Sequence, residues 1–326
     1  MIISKTPFRI SFVGGGTDLR AFYQKEFGQV LSTTINKYIY VAVKRQTDIV
    51  DFKYRINWSK VEFKQEIDDI EHPIVREALR LLEIDFPCEV TTFADIPAKS
   101  GLGSSSSFAV GLLHALYALK GEMVNKKTLA EQAAKIEMDI LKRNMGKQDH
   151  YAAAYGGLNI ITFYPDETVE VCPVIKNHQP LKNLANNLVL FFTGETRDAS
   201  KILKSQTEAT VDKFETLKNM RNLVPNLKEA IEHSEYDAFG RLLHDNWLLK
   251  KSLTNDISNR KLDEQYKSAL DSGALGGKLL GAGGGGFLCF YVNQKNCKNV
   301  IQSLSELYNL EFEFENLGTQ ITYYDQ

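Results

Sequence analysis

The sequence predicts an α+β protein built from two domains. Its 326 residues are about twice the length of a common domain. Helical and strand patterns are mixed in both halves, which is typical of α+β domains. A polar, loop-like segment at 180–187 lies between the halves and is typical of a linker. We therefore predict domains over residues 1–183 and 184–326.

In the first half, strand patterns surround three helical ones. β-Branched and aromatic residues predict strands over 2–13, 30–43, 50–58 and 61–63, the first of them ending at a glycine run. Apolar residues on one face predict a helix over 73–82, and alternation predicts a strand over 88–93. Residues 104–119 are apolar nearly all round, which predicts a buried helix. Thr128 and Glu131, a pair at capping-box spacing, begin a helix over 128–141, and a hairpin over 158–163 and 168–174 follows.

The second half opens with an apolar run that predicts a buried strand over 188–193. Helical spacing then predicts helices over 199–217, 227–232 and 236–249. A glycine-dense segment at 273–286 leads into a strand over 287–292. A helix over 297–308 and a last strand near 312–323 close the chain.

The charge balance argues against two classes of partner. Lys and Arg number 39 and Asp and Glu number 41, so the formal net charge is −2. This balance provides no overall attraction to nucleic acid or to anionic lipid, and we predict that the protein binds neither nucleic acid nor membrane. The most apolar helical stretch, 108–119, contains His114 and is shorter than the roughly 20 residues that a membrane span needs.

The cysteines and the first residues predict a cytoplasmic protein. Cys88, Cys172, Cys289 and Cys297 are scattered, and no pair has Cys-x-x-Cys spacing, which argues against a structural zinc or a disulfide framework. The chain begins directly with a strand pattern and lacks the features of a signal peptide. We therefore expect a protein of the reducing cytoplasm that acts on a small molecule.

The strongest functional motif is Pro97-Ala-Lys-Ser-Gly-Leu-Gly-Ser-Ser-Ser-Ser107, directly before the buried helix. Gly101 and Gly103 let the backbone approach a ligand closely. Serines then occupy the helix start, where free N–H groups and the positive end of the helix dipole favour an anion. Their hydroxyls are suited to Mg²⁺. A Ser N-cap after a turn explains one serine but not the whole run, so we predict phosphate binding.

Three further glycine motifs carry weaker signals. Gly281–Gly286 matches Gly-x-Gly-x-x-Gly, but a strand follows it where a dinucleotide fingerprint needs a helix. Gly276-Gly-Lys278 is like the end of a Walker loop, yet Leu279 stands where Ser or Thr is required. So many glycines indicate close approach to a ligand or to another backbone. Gly14-Gly-Gly-Thr-Asp18 ends the first strand and sets a carboxylate on a loop.

Together these loops resemble the motifs of the GHMP kinase superfamily, which includes galactokinase and mevalonate kinase. Residues 6–19 are similar to its N-terminal substrate motif, 97–107 to its phosphate loop and 278–287 to its C-terminal glycine motif. The resemblance covers nearly the whole chain. It implies a first domain related to the second domain of ribosomal protein S5, a ferredoxin-like second domain, and ATP in the groove between them.

Within the superfamily, the chain most resembles the D-glycero-D-manno-heptose 7-phosphate kinases. Segments 14–19, 72–76, 146–154 and 193–197 carry this resemblance, and His150 stands where Gln is expected. The resemblance implies an ATP- and Mg²⁺-dependent sugar kinase. It would phosphorylate the anomeric C1 hydroxyl of the heptose 7-phosphate to the 1,7-bisphosphate, in the synthesis of nucleotide-activated heptose.

Two other functions stay open. L-fucokinases share some of these features, so an L-fucokinase or another C1 hexose kinase is the alternative within the class. A non-catalytic sensor of ATP and sugar is the alternative from another class, although the complete set of Asp149, Glu137 and the Ser/Gly loop speaks against it. The implied partners are ATP and a sugar phosphate, and a homodimer is left open.

The resemblance also assigns roles to particular residues. Asp149 matches the catalytic aspartate, which either takes the proton of the sugar hydroxyl or orients that hydroxyl, and Arg9 matches the cation near the transferred phosphate. Ser105 and Glu137 match the ligands of Mg²⁺. Outside this context, an Asp in a loop is more often a cap or a solvated turn residue. The expected ATP-binding residues are Lys99, Ser100, Gly101, Leu102, Gly103, Ser104, Ser105 and Ser106.

The sugar is expected to contact a second set of residues. Asp18 and Thr17 would bind sugar hydroxyls, while Arg197, with Lys201 one helical turn further on, would receive the distal phosphate. Trp58 either packs in the core or on the surface, or it lines the adenine pocket. The full set of expected substrate-binding residues is Gly15, Gly16, Thr17, Asp18, Gly283, Gly284 and Arg197.

Overall fold

Two β-sheets and the helices packed on them form the part of the chain that the computed structural model describes, residues 1–47, 49–174, 178–195 and 199–325. The strands are β1 (Ile2–Val13), β2 (Gly28–Arg45), β3 (Tyr54–Asn57), β4 (Val61–Lys64), β5 (Cys88–Ala94), β6 (Asn159–Phe163), β7 (Val169–Pro173), β8 (Leu188–Phe192), β9 (Ala274–Leu279), β10 (Phe287–Val292), β11 (Tyr308–Leu310), β12 (Phe314–Glu315) and β13 (Gln320–Tyr324).

Helices cover these sheets and connect their strands. The α-helices are α1 (Arg20–Tyr23), α2 (Pro73–Leu81), α3 (Ser104–Lys120), α4 (Lys126–Ala134), α5 (Gln148–Tyr155), α6 (His178–Ala185), α7 (Ala199–Ala209), α8 (Phe214–Glu232), α9 (Tyr236–Lys251), α10 (Arg260–Asp271) and α11 (Gln294–Ser303). A π-helical segment, Lys135–Ile140, continues α4, and 3₁₀ turns lie at Ile67–Asp69 and Asn255–Ile257. Within the described ranges, none of the helices combines the length and the apolar character needed to cross a bilayer.

The long strand β2 organises the first sheet. It pairs antiparallel with β1 over most of its length and also with β5, β6 and β12. In the β1–β2 register, Arg9 lies opposite Thr34 and Ser11 lies opposite Ser32. The far edge of β1 pairs with β13, so strands from the end of the chain complete the sheet that the first half begins.

The second sheet has the strand order β11-β8-β10-β9, and its neighbouring strands are antiparallel. A βαββαβ chain produces this order in a ferredoxin-like domain. The predicted α+β class and the two-domain fold are thereby confirmed. The domain boundary at residues 183/184 stays a prediction. The strands β12 and β13 lie beyond this boundary in sequence but pair with β2 and β1 of the first sheet.

The buried helix α3 lies at the centre of the first half and begins the functional region. It packs on β1 and β2 and also contacts α2, α4 and α5, which explains why its residues are apolar on nearly every side. Its close approach to β1 depends on Gly111, because a Cβ there would lie 2.6 Å from Thr6 Oγ1. The Gly111 carbonyl oxygen accepts a hydrogen bond from the Ser4 hydroxyl at 2.7 Å. This packing fixes the position of the Gly/Ser run at the start of α3.

Several local predictions are corrected by tertiary packing. The expected linker at 180–187 is largely the helix α6. The expected break between helices at 217–227 is absent, because α8 runs through Pro225 and buries Val224 and Leu227. The glycine-dense segment contains β9, in which Gly276 and Gly277 lie against neighbouring backbone. Asn125, not Thr128, caps α4: its side chain accepts a hydrogen bond from the Thr128 N–H.

Candidate active site

The phosphate loop ends at Gly103, the residue that precedes α3. The first α-helical hydrogen bond runs from the Ser107 N–H to the Gly103 carbonyl at 2.9 Å, so the N–H groups of residues 104–106 lie before the helical bonding pattern. The Ser104 hydroxyl accepts a hydrogen bond from the Lys99 N–H at 3.4 Å, which closes the loop on the helix start. The predicted ATP-binding residues therefore lie together at the positive end of α3, where Ser100, Leu102 and Ser106 are buried and the others are at least partly exposed.

Arg9 and Asp149 form a two-pronged ion pair beside this loop. Arg9 Nε and Nη2 donate to Asp149 Oδ1 and Oδ2 at 2.6 and 2.7 Å, and Nη1 donates to the carbonyl of Gly101 at 2.6 Å. Arg9 lies on β1 and Asp149 in the first turn of α5, so the pair joins distant parts of the chain. A Cβ on Gly103 would lie 3.3 Å from Asp149 Oδ2, which shows how closely the carboxylate approaches the helix start. The two predicted catalytic residues thus lie next to the predicted phosphate site.

Glu137, in the π-helical segment, lies fully buried behind the serines of α3. Its Oε1 accepts hydrogen bonds from Ser105 Oγ and Arg143 Nη1, each at 2.5 Å. Its Oε2 accepts from Ser106 Oγ at 3.2 Å and lies 2.9 Å from His150 Nε2. Burial raises the pKa of Glu137, but the hydrogen bonds from His150 and Ser105 and the charge of Arg143 outweigh it, and the net pKa lies below the usual value. The carboxylate is therefore held in its charged form.

This cluster fits the Mg²⁺ ion that the resemblance implies. Mg²⁺ is commonly bound by one or two carboxylates, with waters and substrate phosphates supplying the other ligands. Ser105 and Glu137 contribute one hydroxyl and one charged carboxylate that touch each other at the start of α3. A cationic group, the Arg143 guanidinium, already contacts both of these oxygens, which shows that the position attracts positive charge. Sequence reasoning identified Ser105 and Glu137 but missed Arg143 and the contact of His150.

The N-terminal glycine loop presents Asp18 to the same region. Asp18 Oδ1 accepts from the Gly16 N–H at 3.0 Å, and Oδ2 accepts from the Gln148 N–H at 3.3 Å. Burial and the charge of Asp149 raise the pKa of Asp18. The Thr17 hydroxyl is fully buried and bonds within the loop, to the carbonyls of Gly14 and Gln29 at 2.8 and 3.0 Å. Thr17 therefore holds the loop in shape, and its predicted contact with the sugar stays a prediction.

Beside Asp18 lies a small polar recess around Gly15. A Cβ on Gly15 would be 3.8 Å from both Ser11 Oγ and Gln148 Nε2, so neither backbone nor close packing demands a glycine there. Ser11 Oγ and Gln148 Oε1 are buried, and within the described part of the chain they have no hydrogen-bond partner. Buried polar atoms without partners are rare in folded proteins and often mark a ligand position. Ser11 and Gln148 are thus further candidates for contact with the sugar that the sequence did not single out.

Two buried lysines lie where the halves of the chain meet. Lys250, on α9, donates through Nζ to the carbonyl of Gly281. Burial, together with the charge of Arg9, lowers the pKa of Lys250 to about 8. Lys278, on β9, donates to the carbonyls of Ser11 and Phe12 at 2.7 and 2.9 Å, and burial lowers its pKa well below the usual value. Lys278 thus fastens the second half of the chain to β1, whereas Lys250 holds the C-terminal glycine loop from within the second half, and neither contact was predicted.

The other predicted substrate residues lie in different surroundings. Gly284 donates to the carbonyl of Ile257 at 2.9 Å, and Gly283 lies against the same residue, so both pack on the turn before α10. Arg197 lies outside the described residues, and Lys201 is exposed on α7.

Trp58 packs edge-on against His72, with 4.8 Å between the ring centroids, and its indole N–H donates a hydrogen bond to Glu62. Burial lowers the pKa of His72 to about 4.

Two family profiles match the chain. The profile described as "GHMP kinases N terminal domain" matches residues 73–157, and "GHMP kinases C terminal" matches residues 227–310. The first match includes the phosphate loop, Glu137 and Asp149, and the second includes Lys250 and the C-terminal glycine motif.

Individual relatives support the same family. The D-glycero-alpha-D-manno-heptose 7-phosphate kinase of Campylobacter jejuni is 30% identical, with 98% of each chain covered. The L-fucokinase/L-fucose-1-P guanylyltransferase of Bacteroides fragilis is 26% identical over 88% of this chain and 34% of that protein. The crystal structure of a D-glycero-D-manno-heptose 1-phosphate kinase from Bacteroides thetaiotaomicron superposes with a TM-score of 0.83, at 24% identity, with both chains fully covered. This last similarity supports the fold.

Proposed function

Because the chain belongs to the GHMP kinase family, whose sugar and mevalonate kinases are ATP-dependent phosphotransferases, we propose that it phosphorylates the anomeric C1 hydroxyl of D-glycero-D-manno-heptose 7-phosphate. The product would be the 1,7-bisphosphate, which serves the synthesis of nucleotide-activated heptose. The class of the enzyme, a sugar kinase, follows from the family and its heptose-phosphate relative. The observation that carries the proposal is the Arg9–Asp149 pair, held against the phosphate loop at the start of α3.

Asp149 is the residue that would act on the sugar hydroxyl. Its carboxylate is oriented by two hydrogen bonds from Arg9 and lies beside the helix start, where the terminal phosphate of ATP would bind. In the reaction, a bond forms between the C1 oxygen and the γ-phosphorus, while the bond from that phosphorus to the β–γ bridging oxygen breaks. Asp149 orients the hydroxyl and accepts its proton, and ADP leaves with the bridging oxygen.

Arg9 links the acceptor side of the site to the phosphate side. One of its nitrogens contacts the carbonyl of Gly101 in the phosphate loop, and the other two contact Asp149. Its charge would therefore lie beside the transferred phosphoryl group, where it stabilises the negative charge that is spread in the transition state. The free N–H groups at the start of α3 stabilise the same charge.

The metal site and the sugar site complete the proposal. When bound at Ser105 and Glu137, Mg²⁺ would neutralise charge on the nucleotide phosphates. Asp18 would accept hydrogen bonds from sugar hydroxyls, and Ser11 and Gln148 would bond to the sugar from the recess at Gly15. Arg197 and Lys201 remain the proposed receptors of the distal phosphate.

Release of ADP from Mg-ATP, measured against a panel of sugars, tests the proposal. The panel contains D-glycero-D-manno-heptose 7-phosphate, the corresponding 1-phosphate, L-fucose, galactose and mannose, with Asp149→Ala as the control variant. We expect turnover on the 7-phosphate that is lost in the variant. Turnover on the 1-phosphate alone would reject phosphorylation at C1, because that position is already occupied.

An L-fucokinase is the second candidate, favoured by the similarity to the Bacteroides fragilis enzyme. Turnover on L-fucose without turnover on either heptose phosphate would establish it in place of the heptose kinase. ATP binding with no turnover on any sugar would instead support the non-catalytic sensor. The contact of Asp149 with Arg9 and that of Glu137 with Ser105, both beside the phosphate loop, favour an enzyme over a sensor.

A further inference from the structure

Arg143 contacts the two side-chain oxygens that are proposed to hold Mg²⁺. Its Nη1 lies 2.8 Å from Ser105 Oγ and 2.5 Å from Glu137 Oε1. The carboxylate of Glu137 is fully buried, whereas the Arg143 side chain is 33% exposed. Of the four partners of Glu137, Ser106 and His150 are themselves buried, so Arg143 and Ser105 separate the carboxylate from solvent.

A guanidinium and a divalent cation exclude each other at this position. Both would bond to the same oxygens, and at such a distance their like charges repel strongly in a site shielded from water. Mg²⁺ can therefore bind Ser105 and Glu137 only after Arg143 has left them. Since Glu137 keeps its hydrogen bonds from Ser106 and His150, it stays oriented while Arg143 moves.

The backbone lets the side chain leave and return without rearranging the site. The Arg143 N–H donates to the carbonyl of Glu137 at 2.9 Å, which anchors the start of the side chain one turn beyond the carboxylate. The segment that carries Arg143 lies between the π-helical segment and α5, outside any regular helix. Rotation about the side-chain bonds is then sufficient to move the guanidinium into solvent.

We propose that Arg143 is a built-in counter-ion of the metal site, which stabilises Glu137 in the empty enzyme and is displaced when the metal-bound nucleotide arrives. This inference rests on the proposed magnesium site. It makes the apparent metal affinity lower than the intrinsic affinity, in proportion to the fraction of molecules in which Arg143 has already left. Arg143 therefore sets the metal concentration at which the enzyme becomes loaded.

Calorimetric titration with the ATP analogue AMPPNP tests the proposal without any sugar. The dissociation constant is measured once in EDTA and once in Mg²⁺. The value in EDTA divided by the value in Mg²⁺ reports how much the metal strengthens AMPPNP binding. In Arg143→Gln we expect this ratio to rise about tenfold over the wild type, because the competing cation is gone. Arg80→Gln serves as the matched control, since Arg80 pairs with Glu77 and Asp68 away from the site, and its ratio should equal that of the wild type.

Thermal unfolding provides a readout that does not depend on nucleotide. Without metal, Arg143→Gln should have a lower Tm than the wild type, because a buried carboxylate loses its cation. Added Mg²⁺ should raise the Tm of Arg143→Gln more than that of the wild type. Arg143→Lys, which keeps the charge, should show a smaller loss of Tm in the absence of metal.

An unchanged or smaller ratio in Arg143→Gln would overturn the proposal. Weaker AMPPNP binding by the same factor in EDTA and in Mg²⁺ would also overturn it, because Arg143 would then be a phosphate contact. These results are separable from failure of the proposed function, since no sugar is present. A protein with no turnover on any sugar, but with the expected change of ratio, would retain this inference and lose the heptose assignment.

Discussion

Gly101 and Gly281 touch backbone to backbone, although they belong to opposite halves of the chain. A Cβ built on Gly281 would lie 2.6 Å from the Cα of Gly101, and one built on Gly101 would lie 2.6 Å from the carbonyl oxygen of Leu280. The C-terminal glycine motif therefore supports the phosphate loop directly and leaves no room for a side chain between them. This contact accounts for Gly281, and Gly286 likewise lies against the carbonyl of Ser100, where a Cβ would be 2.3 Å from the oxygen.

Gly281→Ala should consequently weaken ATP binding. The new methyl group would force the loops apart, and we expect the Kd for ATP to rise at least about tenfold, with a loss of stability above about 1 kcal/mol. Gly194→Ala is a matched control, because Gly194 has a similar φ of +78° against +74° but no atom within 4 Å of its Cβ position. Equal effects of the two substitutions on ATP binding would contradict the role of the contact.

Asp149→Asn should reduce kcat by about 10²–10⁴-fold, because the amide cannot accept the proton of the hydroxyl. The Kd for ATP should change much less than kcat, since Asp149 is proposed to act on the sugar hydroxyl. Asp139→Asn is the control: Asp139 lies close to Glu137 in sequence but pairs with Arg20 at a half-exposed position. Steady-state kinetics and ATP titrations on both variants measure the effect. An Asp149→Asn enzyme with the kcat of the wild type would exclude Asp149 as the acceptor of the proton.

Gly15→Ala should fold normally and bind the sugar less well. The nearest side-chain atoms would lie 3.8 Å from the new Cβ, so the protein tolerates the methyl group, but the recess beside Ser11 and Gln148 becomes smaller. We expect KM for the heptose phosphate to rise at least about tenfold and KM for ATP to stay unchanged. Gly14→Ala should instead unfold the loop, because its Cβ would lie 2.0 Å from the carbonyl oxygen of Gln29. An unchanged sugar KM in Gly15→Ala would remove the recess from the substrate site.

Lys250 should make the free energy of unfolding rise with pH above about pH 8. Its folded-state pKa of about 8 lies below the ordinary 10.5, so the buried charge destabilises the fold at lower pH. The penalty is fully present below pH 8 and is relieved as the pH rises toward 10.5, with a total of about 3 kcal/mol from the size of the shift. Urea unfolding of the wild type and Lys250→Met at pH 7.5 and 9.5 measures this. From pH 7.5 to 9.5, the free energy of unfolding of the wild type should rise relative to that of the variant. The same change in both proteins would show that Lys250 is not buried as a cation.

Arg197→Ala should raise KM for the sugar phosphate far more than KM for ATP. Guanidinium binds phosphate with two parallel hydrogen bonds, and loss of such a contact costs about 2 kcal/mol or roughly thirtyfold in affinity. Arg260→Ala is the control, because Arg260 is 92% exposed and pairs only with Glu264 on its own helix among the described residues. If Arg197→Ala changed both KM values equally, the distal phosphate would have to bind elsewhere.

Much of the site could be predicted from local sequence. The helix α3 and the Gly/Ser run before it are evident because an all-apolar helix has to be buried, and its glycines and serines are suited to an anion at its start. The strands β1 and β10 also follow from their composition, and the two glycine loops mark places where backbones meet. These features depend on residues that are neighbours in sequence.

Tertiary structure decided which distant residues share the site. The pairing of Arg9 with Asp149 requires β1 and α5 to pack against each other and against α3. Arg143 and His150 meet at Glu137 only because the π-helical segment turns that carboxylate toward α3 and α5. Lys250 becomes a buried cation because α9 packs beneath the glycine loops. No local pattern marks these contacts, since charge and burial at each residue are set by elements that lie far away in the sequence.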